Sequence, residues 1–391
     1  MAVESGKHKG RRRVIFLFTL ILTLALSTLA SGCWNRRELN RIGIVSAVGL
    51  DLTPDHKIEL TVQIIRARAM KMAEGASGEG KAVWVVSSSG GTVFDAVRNL
   101  VEKSGRRLYY PHNSLIVLGQ ELAQAGVRPV MDLFTRDQEM RLLAWVVVAP
   151  GTAADVLKAD SELNNVPSKQ LEEMLKNYNT VSKSVGSNLL EFDESLLSKT
   201  TQPVLGRVVL DKVSGKNELR LDGAGVFRGD KLIGWLDGAE SRGYLFIKGK
   251  VKSGSVLVPS PGNPDQAVTL EIIRAGSRVK PEWLDGKVRF EIDVKVEANL
   301  VEQASAQKLS SPDMISVLEE ELNQAIANQI RTTISVAQTR YKADIFGFGT
   351  DLMRAHPEEW QRLAAKWETE FPQVETQVKV QAKITHTDLS Q

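Results

Sequence analysis

Cysteine and histidine are scarce in this sequence: one cysteine, Cys33, and five histidines in 391 residues. A single cysteine excludes an internal disulfide, so any exported part must hold itself together by packed cores. It also excludes a cysteine-rich zinc site. His8, His56, His112, His356 and His386 include no two at one-turn helical spacing, so no helix carries a histidine metal pair. A Gly-x-Ser-x-Gly nucleophile elbow is missing as well. Long apolar runs are limited to one, from Val14 to Ala30. Net charge is small: the formal +3 reflects Lys7, Lys9, Arg11, Arg12 and Arg13 against Glu4 in residues 1–32. Removing those five bases and one acid from 50 and 47 leaves 45 against 46, a net charge of −1. A nearly neutral body gives no electrostatic case for nucleic acid or another polyanion as partner.

What is present begins with that N-terminal stretch. Basic residues 7–13, the apolar run and the small pair Ser31-Gly32 stand in the order of a secretory signal, and Cys33 follows at once. Leu29-Ala30-Ser31-Gly32-Cys33 resembles a bacterial lipobox, with Leu29 one place earlier than the commonest form. Lipidation of Cys33 is the expectation. The alternative is an uncleaved signal anchor, since the run is near the lower limit of about 17 residues for a spanning helix. Either way, the remainder lies outside the cytoplasmic membrane and is tethered to it. Trp34 to Arg41, with Arg36, Arg37 and Glu38, reads in two ways. It is a membrane-proximal segment with arginines among headgroups, or a helix start that docks on the first domain.

The length and a composition of 42% apolar and 25% charged residues suit two or three globular domains. Ile44–Leu50, Ile58–Ile65, Ala82–Ser87, Leu115–Leu118 and Leu142–Val148 read as strands. Helices between them start at Thr92, with Asp95 completing a capping box, at Glu121 and at Pro129. Residues 152–200 read as helical. From Pro203 the pattern changes to hairpins and strands, at Ala224–Phe227, Lys231–Trp235, Gly254–Val258, Val268–Ile273 and Val288–Leu300. A long helix from Ser311-Pro312 carries the apolar stripe Ile315, Leu318, Leu322, Ile326, Ile330, Ala337 and Tyr341. Phe346–Gly349 reads as a loop, and Pro357 opens a helix with Trp360, Leu363, Ala364, Trp367 and Phe371 inward. The chain closes on an alternating strand, Val374–Thr385. The expected architecture is therefore an N-terminal mixed α/β unit, a helical middle segment, and a C-terminal antiparallel sheet packed against a long helix. As domains, these are a signal peptide at 1–32, an N-terminal domain at 33–200 and a C-terminal domain at 201–391.

Each suggestive constellation has a plainer reading. Gly75–Lys81 has phosphate-loop spacing, but Ala82 stands where a hydroxyl should hold Mg²⁺ and no helix follows. It reads as a flexible loop. Gly223/Gly225 and Gly347/Gly349 are glycine pairs without a third glycine and read as turns. Arg228-Gly229-Asp230 reads as a hairpin tip. His112, after Arg106-Arg107-Leu108-Tyr109-Tyr110-Pro111, reads as a buried histidine bonded to backbone. The cluster from Arg136 and Asp137 to Arg141 is either a partner-facing patch or a solvated helix end with local ion pairs.

Together these stretches resemble the Ger(x)C family, the lipoprotein subunits of spore germinant receptors. The resemblance rests on Gly32-Cys33-Trp34-Asn35-Arg36-Arg37-Glu38-Leu39, then Pro111-His112-Asn113, then Arg136-Asp137 with Arg141. It continues through Gly225-Val226-Phe227 with Asp230-Lys231-Leu232 and Gly234-Trp235, through Asp344–Gly349, and through Trp360 with Trp367. The order over the whole length carries it. The resemblance implies a non-enzymatic receptor subunit acting in the assembly or signalling of nutrient-triggered germination. It implies a lipid anchor to the outer face of the spore's inner membrane, and partnership with an A-type and a transporter-like B-type membrane subunit. It implies no cofactor beyond the covalent lipid on Cys33, and a fold of three domains. The competing class is a solute-binding lipoprotein of a transporter, which would need two similar lobes.

Overall fold

The computed structural model describes residues 14–23, 42–66, 82–161, 164–304 and 309–387. The chain divides into two compact units, Met1–Ile42 and Gly43–Gln391. In the first, residues 14–23 form a helix whose apolar side chains are exposed. Among the described residues, no helix is long and apolar enough to cross a membrane. Cys33, Trp34, Arg36, Arg37, Glu38 and the glycine-rich 75–81 stretch lie outside the described residues.

The second unit is built on two sheets. The first takes β1 (Ile42–Leu52), β2 (Ile58–Ile65), β3 (Val83–Gly90), β4 (Arg107–Tyr109), β5 (Leu115–Gly119) and β6 (Trp145–Ala149). It then adds β7 (Val204–Val213), β8 (Lys216–Arg228) and β9 (Lys231–Leu236). Their order is β3-β2-β1-β5-β6-β7-β8-β9, with β4 beside β1. The centre, β1-β5-β6-β7, is parallel, and both flanks are antiparallel. Parallel strands need cover on both faces, so their sequences are continuously apolar. In β5, Ile116 and Leu118 enter a core with α1 (Val93–Ser104), α2 (Gln120–Ala125), α3 (Arg128–Arg136) and α7 (Leu189–Leu197). Leu115 and Val117 enter the opposite core with α4 (Ala153–Lys158) and α5 (Pro167–Lys176). The short α6 (Tyr178–Val181) follows α5.

Local signals hold closely here. Thr92 accepts from the Asp95 amide at 3.1 Å, and Gly105, at φ 61°, ends α1. The Asp95 carboxylate, however, takes the Gly91 amide at 2.9 Å instead of closing the box on Thr92. The expected strand at Leu142 starts only at Trp145; Leu142 and Leu143 form a turn. Their apolar character resembles that of the strand beside them, and only the absence of a covering element sets them apart. Gly223 and Gly225 lie inside β8, not in a turn. A Cβ on Gly223, at φ 79°, would sit 2.2 Å from the Leu236 carbonyl oxygen, so the close approach of β9 requires glycine.

The second sheet is β10 (Gly254–Ser260), β11 (Asn263–Leu284), β12 (Lys287–Gln303) and β13 (Glu375–Thr387), in that order. Alternation is clear in β12, where Phe290, Ile292, Val294, Val296, Ala298 and Leu300 are buried. They meet Leu318, Leu322, Ile326 and Ile330 of α9 (Pro312–Ser335), with α8 (Gly238–Ile247) in the same core. The first three strands are antiparallel as expected, but β13 runs parallel to β12. The reason is topological: the chain crosses back on α9, and a crossover connection returns a strand in the same direction. Helix α8 escapes a pattern search because it is buried on most sides, including Glu240, Ser241 and Arg242, and so has no single apolar stripe. After α9 the helix widens at Val336–Tyr341. Then come α10 (Phe348–Ala355), α11 (Pro357–Leu363) and, after one 3₁₀ turn at Ala364–Lys366, α12 (Trp367–Glu370). That break leaves Ala364 exposed while Trp360, Trp367 and Phe371 remain buried.

Candidate functional site

Two groups of sequence-marked residues come together in the fold, and their environments are opposite. The first gathers at the end of the first sheet where the parallel strands begin. Register places Ala47 of β1, Leu115 of β5 and Trp145 of β6 in one row. Chain preceding each of these residues therefore lies at the same end. That end carries the turns 110–114 and 141–144 and the C-terminus of α3. Arg136, Asp137 and Arg141 are exposed there. Arg136 pairs with Asp132 at 2.7 Å, and Arg107 with Glu139 at 2.9 Å. Asp137 closes α3, donating its amide to Leu133 and accepting the Glu139 amide at 2.8 Å. These are exposed pairs, screened by solvent, and contribute little to stability. His112 is exposed beside Tyr109, with ring centroids 5.8 Å apart, and so is not the buried histidine the sequence suggested. The chain turns outward at Pro111 before β5 begins, which carries the imidazole out of the core. Tyr110, next to it, is buried; burial pushes its hydroxyl pKa up, and the nearby Asp137 charge adds to this.

The second group is built on Asp344. Its carboxylate is buried and accepts four backbone amides: Phe346 at 3.1 Å, Gly347 at 2.9 Å, Phe348 at 3.1 Å and Gly349 at 2.8 Å. The Trp367 indole adds a fifth hydrogen bond at 3.0 Å. Gly347, at φ 85°, lets the chain wrap around the carboxylate, and α10 starts on the next residue. On Gly349 a Cβ would lie 2.7 Å from the Trp367 indole nitrogen, so the second glycine makes room for the tryptophan. Trp360 meets Trp367 edge-on at 5.4 Å, and Phe348 stacks on Phe290 of β12 at 4.3 Å. Burial pushes the Asp344 pKa up, and the donors to the carboxylate act against this. The Asp344 carbonyl accepts the Gln202 amide at 2.7 Å, tying the segment before β7 to the second sheet. Nearby, burial pushes the pKa of Lys248 down while its ammonium donates to the Phe346 carbonyl at 3.0 Å.

A third contact accounts for Gly234-Trp235. The Tyr341 hydroxyl donates to the Trp235 carbonyl at 2.6 Å and accepts its amide at 3.0 Å. A Cβ on Gly234 would be 2.4 Å from the Tyr341 ring. Sequence reading placed Tyr341 on an apolar stripe and missed this hydroxyl bridge, because spacing reports burial and not polar pairing.

The described residues bring together no group of three or more His, Cys, Asp or Glu side chains fit to hold a metal. A groove of ≈ 440 Å³ runs between α5–α6 and the β7–β8 hairpin, walled by Tyr178, Val181, Val213 and Leu219. The two sheets differ in strand order and connection, unlike the paired lobes of a solute-binding protein.

Two family models cover this chain in sequence. "Spore germination protein N-terminal domain" matches residues 35–210, and "Spore germination B3/ GerAC like, C-terminal" matches 222–388. Spore germination protein KC of Bacillus subtilis (strain 168) is 29% identical over 95% of this chain and 96% of its own. Spore germination protein B3 of the same organism is 25% identical over 94% and 96%. The crystal structure of the GerBC protein superposes with a TM-score of 0.55 at 22% identity, covering 86% of this chain and 96% of that one, and shows the same fold. With both halves matched in order by the two family models, the chain belongs to the Ger(x)C family of spore germination proteins.

Proposed function

We propose that this protein is a lipid-anchored germinant-receptor subunit that works without catalysing a reaction. In this reading Cys33 carries a diacylglyceryl group, and the Gly43–Gln391 body stands on the outer face of the spore's inner membrane. Its partners are an A-type and a transporter-like B-type membrane subunit, which it helps to assemble or to couple. The observation that supports it best is the match of both family models along nearly the whole chain, behind a basic–apolar–Ser31-Gly32-Cys33 leader. A single acyl chain binds membranes marginally and reversibly, whereas two anchor stably, so a diacylglyceryl cysteine suits a permanent tether. A tether also raises the local concentration of the body near membrane partners without any new contact.

The deciding experiment is Cys33→Ala expressed in sporulating cells, read by mass spectrometry of the mature protein and by recovery of the membrane subunits in a pull-down. Uncleaved precursor, less membrane-bound mature protein and weaker recovery are expected. An unmodified Cys33 within an intact leader of the wild-type protein would defeat the anchor. Charge reversal at Arg36 and Arg37 is the companion test: partner recovery should fall while the fold is kept, and wild-type recovery would remove that segment as a contact zone.

A further inference from the structure

Large apolar side chains that a fold leaves in water need an explanation when they cluster. Leu142 and Leu143 are 44% and 60% exposed, and Leu190 is 41% exposed. They are one patch: the Leu190 amide donates to the Leu142 carbonyl at 3.0 Å. Leu142 and Leu143 form an exposed turn, and exposed Arg141 precedes it. Its place in the sheet is informative. Gly43 of β1 lies four residues before the Ala47–Leu115–Trp145 row, and Leu143 lies two residues before it. Both therefore sit at the same end, two strands apart, or about 10 Å across the sheet. Gly43 is ten residue steps beyond Cys33, and a fully extended chain of that length spans at most roughly 33–36 Å.

We propose that the Leu142–Leu143 turn, with Leu190 beside it, seats in the headgroup region of the bilayer, so that this end of the first sheet faces the membrane. The proposal rests on the anchor at Cys33, which confines this end to the bilayer's vicinity. Apolar burial supplies the attraction, and Arg141 lies at headgroup level, where a guanidinium meets lipid phosphate. Asp132 and Glu139 already engage Arg136 and Arg107, so the local charge is nearly balanced. The contact should accordingly depend weakly on salt and on anionic lipid.

The test uses the full-length lipidated protein in liposomes of phosphatidylcholine and phosphatidylglycerol, in which acylation occupies the Cys33 thiol. Leu143→Cys carries an environment-sensitive fluorophore. Leu257→Cys, on the 67% exposed Leu257 of β10, is the control. Quenchers are attached to lipid headgroups in one preparation and to shallow acyl positions in another. Headgroup and shallow-chain quenching of the 143 probe, several-fold stronger than at 257 and retained at high salt, is expected. Failure of the protein to float with liposomes would overturn both the anchor and this face. Flotation without quenching at 143 would overturn this face alone. Protection of the 143 probe only when membrane subunits are co-reconstituted, without lipid quenching, would assign the patch to a protein partner and overturn the membrane contact.

Discussion

Asp344 and Asp137 are both family-like positions next to tight turns, yet one is buried under five donors and the other stands in solvent with one. The buried site is surrounded by Phe346, Phe348, Phe371 and Trp367 and joins the second sheet to the segment before β7. The exposed site is a helix end with ion pairs at its rim. An aspartate beside a tight turn thus has two physical meanings. In one place it organises a backbone turn that holds the two sheets together. In the other it is part of a surface available to something else.

The sharpest way to break this contrast is to remove the buried carboxylate. Asp344→Ala leaves four backbone amides and one indole without an acceptor, and should cost about 3–5 kcal/mol. Urea unfolding followed by tryptophan fluorescence would measure it; a loss below about 1 kcal/mol would mean that Asp344 does not organise the turn. Next in size is Gly349→Ala, which forces a methyl against Trp367 and should cost about 1–3 kcal/mol. The same unfolding curve and the near-ultraviolet circular dichroism of the tryptophans report it.

A third test concerns acid and a carboxylate on α5. Burial tends to raise the Glu172 pKa, but the ammonium groups of Lys169 at 2.8 Å and Lys176 at 3.0 Å outweigh it and hold the group at about 2, against an ordinary 4.5. The fold therefore favours the ionised form. That stabilisation is complete above about pH 4.5 and is lost as pH falls towards 2. In Glu172→Gln, stability should fall less steeply with acid over this window, and its difference from the wild type should shrink towards pH 2. Identical slopes would contradict the assignment. The smallest effect belongs to the exposed site: Arg136→Ala should leave the urea midpoint essentially unchanged, because its pair with Asp132 is exposed. A midpoint shift as large as that of Gly349→Ala would erase the distinction between the two regions.

Legibility differed between the same regions for the same reason. The strand Ile58–Ile65 and helix Leu189–Leu197 were readable to the residue, since alternation and caps are properties of a few neighbours along the chain. Leu142 and Leu143 looked like strand because exposure is set by what packs above them. Asp344 was visible only as part of a family-like string. Nothing in the string says that its carboxylate folds back on its own amides and meets Trp367, 23 residues later.

By itself the sequence determined the mixed α/β and α+β class, several cap residues and most strand positions, and it marked Cys33 as the expected anchor. It also carried the family resemblance in the order of its motifs. Tertiary structure decided that the hairpins at 204–236 join the first sheet. It also decided the parallel return of β13, the buried course of α8, the exposure of His112 and the closing of the Asp344 turn. Each depends on which distant segments come into contact. Local spacing fixes the face a side chain points to, but only the assembled chain determines whether that face meets another element or water.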